Sequence, residues 1–242
     1  MTPIVQIIGP GRAGRSFFNA LGSKGWQMKV PLEKGNDLRN ATDGVDLVLI
    51  TTPDDEIINV VNQLPRTETV IAHVAGSMRL DVLKPHVNVG SIHPLVSLPN
   101  AILGKERLLN NAWFAINGDP LMKKIVEALG GTEFILPDEY RALYHATACI
   151  ASNHLVVLLE QVRRLADQVN VPFEAFLNLA QGSFESLIEL GPGDALTGPA
   201  ARKDEETLQA HLESLPEIEI PLYESMVLEA KRLATNTNDL EE

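Results

Sequence analysis

Three glycines carry the first chemical signal in this chain. Gly9-Pro10-Gly11-Arg12-Ala13-Gly14 is a G-x-G-x-x-G run that follows an apolar stretch and precedes an amphipathic one carrying Phe17, Phe18 and Leu21. In that context the first glycine permits a tight turn, the second lets a pyrophosphate approach the backbone, and the third lets helix and strand pack closely. The helix N-terminus adds amide donors and partial positive charge. The spacing therefore predicts a dinucleotide site built from Gly9, Pro10, Gly11, Arg12, Ala13 and Gly14. An acidic residue for an adenosine ribose is expected about 20 residues further on. Glu33 stands near that place, with Lys34 beside it. A carboxylate there favours NAD and a cation favours the 2′-phosphate of NADP. Arg12, Arg15 and Lys34 tilt the expectation to NADP, with NAD the alternative.

Acid–base chemistry has its own candidates. His93 directly follows the apolar run 89–92 and precedes Pro94. The carboxyl end of a strand in an open α/β sheet is the ligand edge, and an imidazole suits proton transfer to or from a carbinol oxygen. The bland alternative is a ring that only holds the turn. Further on, Arg141, Tyr144, His145, Ser152 and Asn153 share one long helical stretch, and helical spacing lines up Arg141, His145, Cys149, Ser152 and Asn153 along one side. Such a polar stripe faces solvent, a polar cleft, or a helix or dimer interface. Ser77 follows Ala75-Gly76 in a loop. Thr52-Pro53-Asp54 closes an apolar run, with Asp54 or Asp55 reading as an N-cap. Arg202, beside Lys203, is either a bidentate carboxylate clamp or half of a solvated basic pair. Cys149 reads as a small core residue. The six histidines show no metal-ligand spacing, so no metal site is expected.

The elements that must position these groups change character along the chain. Short apolar runs at 4–8, 46–51, 69–74, 89–92, 112–116 and 132–136 alternate with helical stretches at 12–23, 54–63 and 120–129. A second strand at 26–32 is poorly marked, broken by Pro31, and 35–45 is too short for a crossover helix. This alternation predicts an α/β fold, a doubly wound Rossmann sheet with parallel strands buried on both faces. After Pro137 only helices are expected, at 138–169, 173–190, 204–214 and 221–234, with the polar tail 235–242 frayed. The expected division is a dinucleotide-binding domain over 1–137 and a helical substrate and dimerisation domain over 138–242.

Composition narrows the function classes. The chain has 242 residues, 45% of them apolar, enough for a sizeable core. A net charge of −12 argues against a general nucleic-acid binder or a protein held on anionic lipid. One cysteine excludes an intramolecular disulfide and a Cys-based zinc site. No apolar run exceeds five residues and no basic n-region precedes the first strand. A soluble cytoplasmic protein without a membrane span is expected.

Several segments together resemble a known family: Gly9 to Gly14, Thr52-Pro53-Asp54-Asp55, His73 to Ser77, Gly90 to Leu95, Arg141 to Ala146, Ala151 to Leu155, and Leu196 to Arg202. Their order is similar to that in Rossmann-like oxidoreductases with a helical C-terminal domain of unknown function. These are kin to pyrroline-carboxylate reductase, prephenate dehydrogenase and ketopantoate reductases. The resemblance implies an NAD(P)-dependent oxidoreductase moving hydride between nicotinamide and a small 2-oxo or hydroxy acid, ketopantoate reduction being the nearest named activity. It implies backbone contacts near Thr52 and Pro53 to the cofactor, a donor at Ser77, and a homodimer paired through the C-terminal helices. Related dehydrogenases place Lys and Asn on the catalytic helix. This chain has no Lys there, so His145 and Asn153 are the expected substitutes beside His93, with Ser152 and Arg202 facing the substrate. The missing lysine also keeps a second reading open, a nucleotide-binding regulator without turnover.

Overall fold

The strands alternate between two buried faces. Val5 and Ile7 of β1 (Ile4–Ile8) join one core cluster and Ile8 the other. Leu47 and Leu49 of β3 (Leu47–Ile50) follow the first, Val48 and Ile50 the second. Strands that are apolar on both sides belong to a sheet covered on both faces. The computed structural model describes residues 2–238, and within it seven strands lie in the order β2-β1-β3-β4-β5-β6-β7. The remaining strands are β2 (Gln27–Met28), β4 (Val70–His73), β5 (Val89–Pro94), β6 (Trp113–Gly118) and β7 (Thr132–Ile135).

The expected Rossmann-like α/β fold is present, with one departure from a wholly parallel sheet. β5 and β6 pair antiparallel, Ile92 opposite Ile116 and His93 opposite Ala115, while every other pair is parallel. The chain leaving β5 turns back at the same edge, where the Leu95 amide donates to Trp113 O at 2.8 Å. That return holds a helix the periodicity does not reveal, α3 (Ala101–Leu108), because it buries only Gly104 and Leu108. Its signal is Asn100, whose Oδ1 caps the amides of Ile102 and Leu103 at 3.0 Å each.

Helices α1 (Arg12–Ser23) and α4 (Leu121–Leu129) cover the first face with Phe17, Leu21, Ile125 and Leu129. The second face is covered by Leu38, Ala41, Leu83 and the short α2 (Ile57–Val61), which follows a 3-10 turn at Asp54–Glu56. β2 is minimal and is continued only by a bridge from Ile8 to Leu32. Residues 33–44 form turns rather than a crossover helix.

The chain divides into two compact units, and the division falls between Asn153 and His154 rather than at Pro137. The reason is α5 (Arg141–Cys149), whose first residue is buried against the sheet. A single π turn, Ile150–His154, ends α5. The second unit is helical throughout its described residues: α6 (Leu155–Gln168), α7 (Phe173–Ala195), α8 (Glu205–Ser214) and α9 (Ile220–Asn238). Gly191, at φ 81° and ψ 170°, interrupts α7 where Gly-Pro-Gly predicts a stop. Arg164 grips Glu219 with two hydrogen bonds of 2.7 and 2.8 Å, tying α6 to the start of α9. Of the tail expected to fray, 239–242 lies outside the described residues.

The stretch Asp138–Gln168, 31 residues, is long and apolar enough by composition to cross a membrane. Helices of soluble proteins pass the same test of length and composition, so this stretch does not overturn the expectation drawn from short apolar runs.

Candidate active site

β1, β3, β4 and β5 are mutually parallel, so their carboxyl ends share one edge of the sheet. Gly9, Thr52, Gly76 and His93 all stand at that edge. Gly9 has φ 88°, and a Cβ there would meet Thr52 Cγ2 at 2.6 Å and the Thr52 amide nitrogen at 2.8 Å. Only glycine lets the turn pass so close to the next strand. A Cβ on Gly14 would lie 2.6 Å from Gly9 O, so the helix is pressed onto the turn. Gly11 is the opposite case, with nothing within 4 Å of its Cβ position. It caps α1 without any side-chain bond to the first-turn amides. Those amides and the open space above Gly11 form a cradle that fits a pyrophosphate. Thr52 Oγ1, buried without a partner, faces no protein acceptor beside it.

A cavity of about 380 Å³ runs along Pro10, Arg15, Val30, Pro31 and Glu33. Arg15 Nε donates to Pro10 O at 2.9 Å, and its Nη2 stands 3.9 Å from Glu33. Lys34 Nζ is 3.2 Å from Glu56 Oε1. The hydrogen bond from Asn59, then that from Lys34, holds Glu56 below the usual carboxylate range. Two of the three cations expected to attract a 2′-phosphate thus already face carboxylates. Arg12 is exposed and has no ion pair among the described residues.

At the other end of this edge, α5 is anchored by one buried cation. Pro137 ends the extended chain, and Asp138 and Glu139 stand in the first helical turn, where the helix dipole favours anions. Arg141, 1% exposed, donates through Nε to Asp138 Oδ1 at 2.8 Å and through Nη2 to Ser91 Oγ on β5. Its Nη1 has no partner among the described residues. Burial pushes Asp138 up, but the Arg141 hydrogen bond and the Leu80 amide, 2.9 Å from Oδ2, outweigh it and the carboxyl lies below its ordinary range. So Arg141 is a structural cation, not part of a solvent-facing stripe.

With α5 so fixed, Tyr144 and His145 come to His93. His93 Nδ1 is 2.7 Å from the Tyr144 hydroxyl, and the two rings meet edge-on with centroids 5.4 Å apart. The His145 ring lies 5.9 Å from His93, and Phe134 of β7 backs Tyr144 at 5.9 Å. Burial, then His145 and Arg141, pulls His93 down to about 4. His73, fully buried beneath, is also drawn down to about 4, by burial and then Arg141. Burial raises Tyr144 to about 12. The arrangement offers a neutral imidazole, hydrogen-bonded to a protonated phenol, at a sheet edge that also carries a phosphate cradle.

The structure brings together Gly9 to Gly14 with Thr52 and Pro53, and His93 with His145. Asn153 is exposed, and among the described residues neither it nor Ser152 hydrogen-bonds to either ring. The π turn at 150–154 resets the helical phase, so steps counted from His145 stop predicting a shared face. Ser77 is already occupied, donating to Asp54 Oδ2 at 2.8 Å, and Asp54 is therefore an acceptor for that loop instead of an N-cap. Cys149 is half-buried with Sγ 3.7 Å from His145 Nε2. Arg202 is an exposed residue of the helical unit, close in sequence to Asp204. Gly76, Ser91 and Asp138 escape the sequence reading, and Tyr144 stands in it on the long helical stretch without a partner. For Tyr144 the signal is its place three residues after Arg141, one helical turn along the same face.

Residues 113–230 match the family model described as Domain of unknown function (DUF2520). A comparison with curated protein sequences finds no relative. Solved structures share the fold along nearly the whole chain. A Bacteroides fragilis protein, provisionally named an NADP oxidoreductase, is 22% identical with TM-score 0.79, covering 96% of this chain and 98% of its own. A reductive aminase from Aspergillus terreus, in complex with NADPH and ethyl levulinate, is 11% identical with TM-score 0.70 and coverage of 99% and 100%. Pyrroline carboxylate reductase from Plasmodium falciparum, with NADP bound, is 11% identical with TM-score 0.62 and coverage of 96% and 98%.

Proposed function

We propose that this protein is an NADP-dependent oxidoreductase, soluble and cytoplasmic, that interconverts a carbonyl and a carbinol on a small 2-oxo or hydroxy acid of the ketopantoate type. One observation carries the reading: the glycine cradle at the end of β1 and the His93 cluster at the end of β5 lie on the same edge of one sheet. The NADP and NADPH complexes among the fold neighbours support the choice of cofactor. The amides of Gly11 to Gly14 and the N-terminus of α1 would hold the pyrophosphate. Arg15, Glu33 and Lys34 would face the adenosine ribose, and backbone at Thr52 and Pro53 the middle of the molecule. When bound, the nicotinamide supplies or accepts hydride. His93 holds the proton: its neutral ring donates to the oxygen during reduction and accepts from it during oxidation. Neighbours that act on C=N bonds bear no less on the fold, so the carbonyl class rests on the site and not on them.

The helical unit supports a homodimer as part of the same reading. Its described residues bury few side chains, while Leu179, Phe184 and Ile188 of α7 and Val156 and Val157 of α6 are all exposed. An apolar surface of this kind is covered by a second copy in a symmetric assembly. The test of the enzyme is NADPH consumption with a panel of 2-oxo acids. Binding without consumption by any member would favour the regulator instead.

A further inference from the structure

The proton-transfer role of His93 leaves a second geometric feature unused. A Cβ built on Gly76 would lie 2.6 Å from His145 Nδ1 and 2.9 Å from His93 Nε2. Two rings from different elements thus pack against one residue that has no side chain. His145 Nδ1 is buried and has no hydrogen-bond partner among the described residues. Its other nitrogen stands 3.7 Å from Cys149 Sγ. On His93 the outer nitrogen is taken by Tyr144 at 2.7 Å. That phenol has no other hydrogen-bond partner among the described residues, and a phenol O–H is a better donor than its oxygen is an acceptor. The O–H therefore donates to Nδ1, and the one hydrogen of the neutral ring stands on Nε2, over Gly76. The low His93 value, about 4, and the high Tyr144 value, about 12, keep both groups in those states at neutral pH.

We propose that Tyr144 is the positioning residue that makes His93 an Nε2–H donor to the substrate oxygen and relays a proton to it. This rests on the oxidoreductase reading above and names the group its substrate presents. A carbonyl oxygen has lone pairs and accepts from the Nε2–H. A protonated imine has an N–H and no lone pair, and it would point that hydrogen at the His93 N–H. An Nε2–H donor therefore takes C=O and rejects protonated C=N. In the reducing direction the carbonyl carbon gains a hydride, whose source is the reduced nicotinamide named above. The C–O π pair moves to oxygen, which bonds the proton leaving His93 Nε2 while Nδ1 takes the phenolic proton. Once the alcohol has left, Nε2 takes a proton from solvent and Nδ1 returns its own to the Tyr144 oxygen. One hydride and one proton are added, and the ring and phenol end as they began.

The test reads the rings directly in the uniformly ¹⁵N-labelled full chain, by two-bond proton–nitrogen spectra of histidine at about pH 7.5. His93, assigned by its loss in His93→Asn, should show the Nε2–H tautomer without any ligand. Tyr144→Phe keeps the ring against Phe134 and should convert it to a tautomer mixture. An Nδ1–H tautomer in the wild type, or no change in Tyr144→Phe, overturns the relay. Pyruvate, 2-oxoisovalerate and ketopantoate are then titrated into protein saturated with NADP⁺. At least one should shift the His93 ring. If none moves it, or if 1-pyrroline moves it as strongly, the carbonyl preference is wrong. Calorimetry with NADP⁺ separates the layers: no cofactor binding removes the oxidoreductase reading, while the ligand-free tautomer still decides the Tyr144–His93 pair.

Discussion

Acidification should destabilise the sheet unit through two imidazoles that must stay neutral. His73 and His93 are both pulled from an ordinary 6.5 to about 4, chiefly by burial. On unfolding they return to the ordinary value, so between those limits the unfolded chain binds more protons than the folded one. Their contribution is fully present above about pH 6.5 and is lost as pH falls toward 4. One pH unit of difference is about 1.4 kcal/mol, which gives about 3 kcal/mol per ring over the whole window. At about pH 5 each ring should have lost about 2 kcal/mol, and the pair about 4 kcal/mol. Both tryptophans, Trp26 and Trp113, lie in the sheet unit, so their fluorescence follows that unit alone. With a typical urea dependence of about 2 kcal/mol per molar, the midpoint should drop by about 2 M between about pH 7.5 and pH 5. His73→Leu removes one of the two rings without adding an unpaired polar group, and should roughly halve the drop. A midpoint that holds across that range, or a drop that His73→Leu leaves untouched, refutes the reasoning.

Three further outcomes are expected. Gly11→Glu should abolish NADPH binding by calorimetry while leaving circular dichroism unchanged, because the space over Gly11 is open to ligand and free of protein. Lys34→Glu, which turns its partner Glu56 into a like-charge neighbour, should weaken NADPH more than NADH; equal losses would remove Lys34 from the 2′-phosphate. Sedimentation at micromolar concentration should give a dimer, and Ile188→Glu should shift it toward monomer, since Ile188 is 72% exposed in the single chain; a wild-type monomer would count against assembly through the helices.

Much of the fold was legible because it rests on short-range physics. The G-x-G-x-x-G turn, the apolar runs and the Gly-Pro-Gly interruption at Gly191 are each set by local steric or burial rules. What escaped was non-local. The antiparallel β5–β6 pair follows from where the chain turns at Leu95, not from the apolar content of either strand, and α3 was hidden because only Gly104 and Leu108 face inward. His93 and His145, whose rings lie 5.9 Å apart, are legible as candidates from residue type and position. Arg141 was misread because its spacing on a helix face does not say that Ser91 and Asp138 wait inside to pair it. Asn153 was placed by counting fours through a stretch that the π turn at 150–154 takes out of α-helical phase. Tyr144 and Gly76 meet His93 in space and not along the chain.

NADPH oxidation by wild type and His93→Asn, measured side by side over the same 2-oxo acid panel, bears most directly on whether this sheet edge is a working oxidoreductase site. Wild type should consume NADPH with at least one member. His93→Asn should bind NADPH within about threefold of wild type while turning over ~10²–10⁴-fold more slowly, the usual weight of a general acid or base. Near-normal turnover in His93→Asn, or a wild type that binds NADPH and never consumes it, would contradict the proposed chemistry.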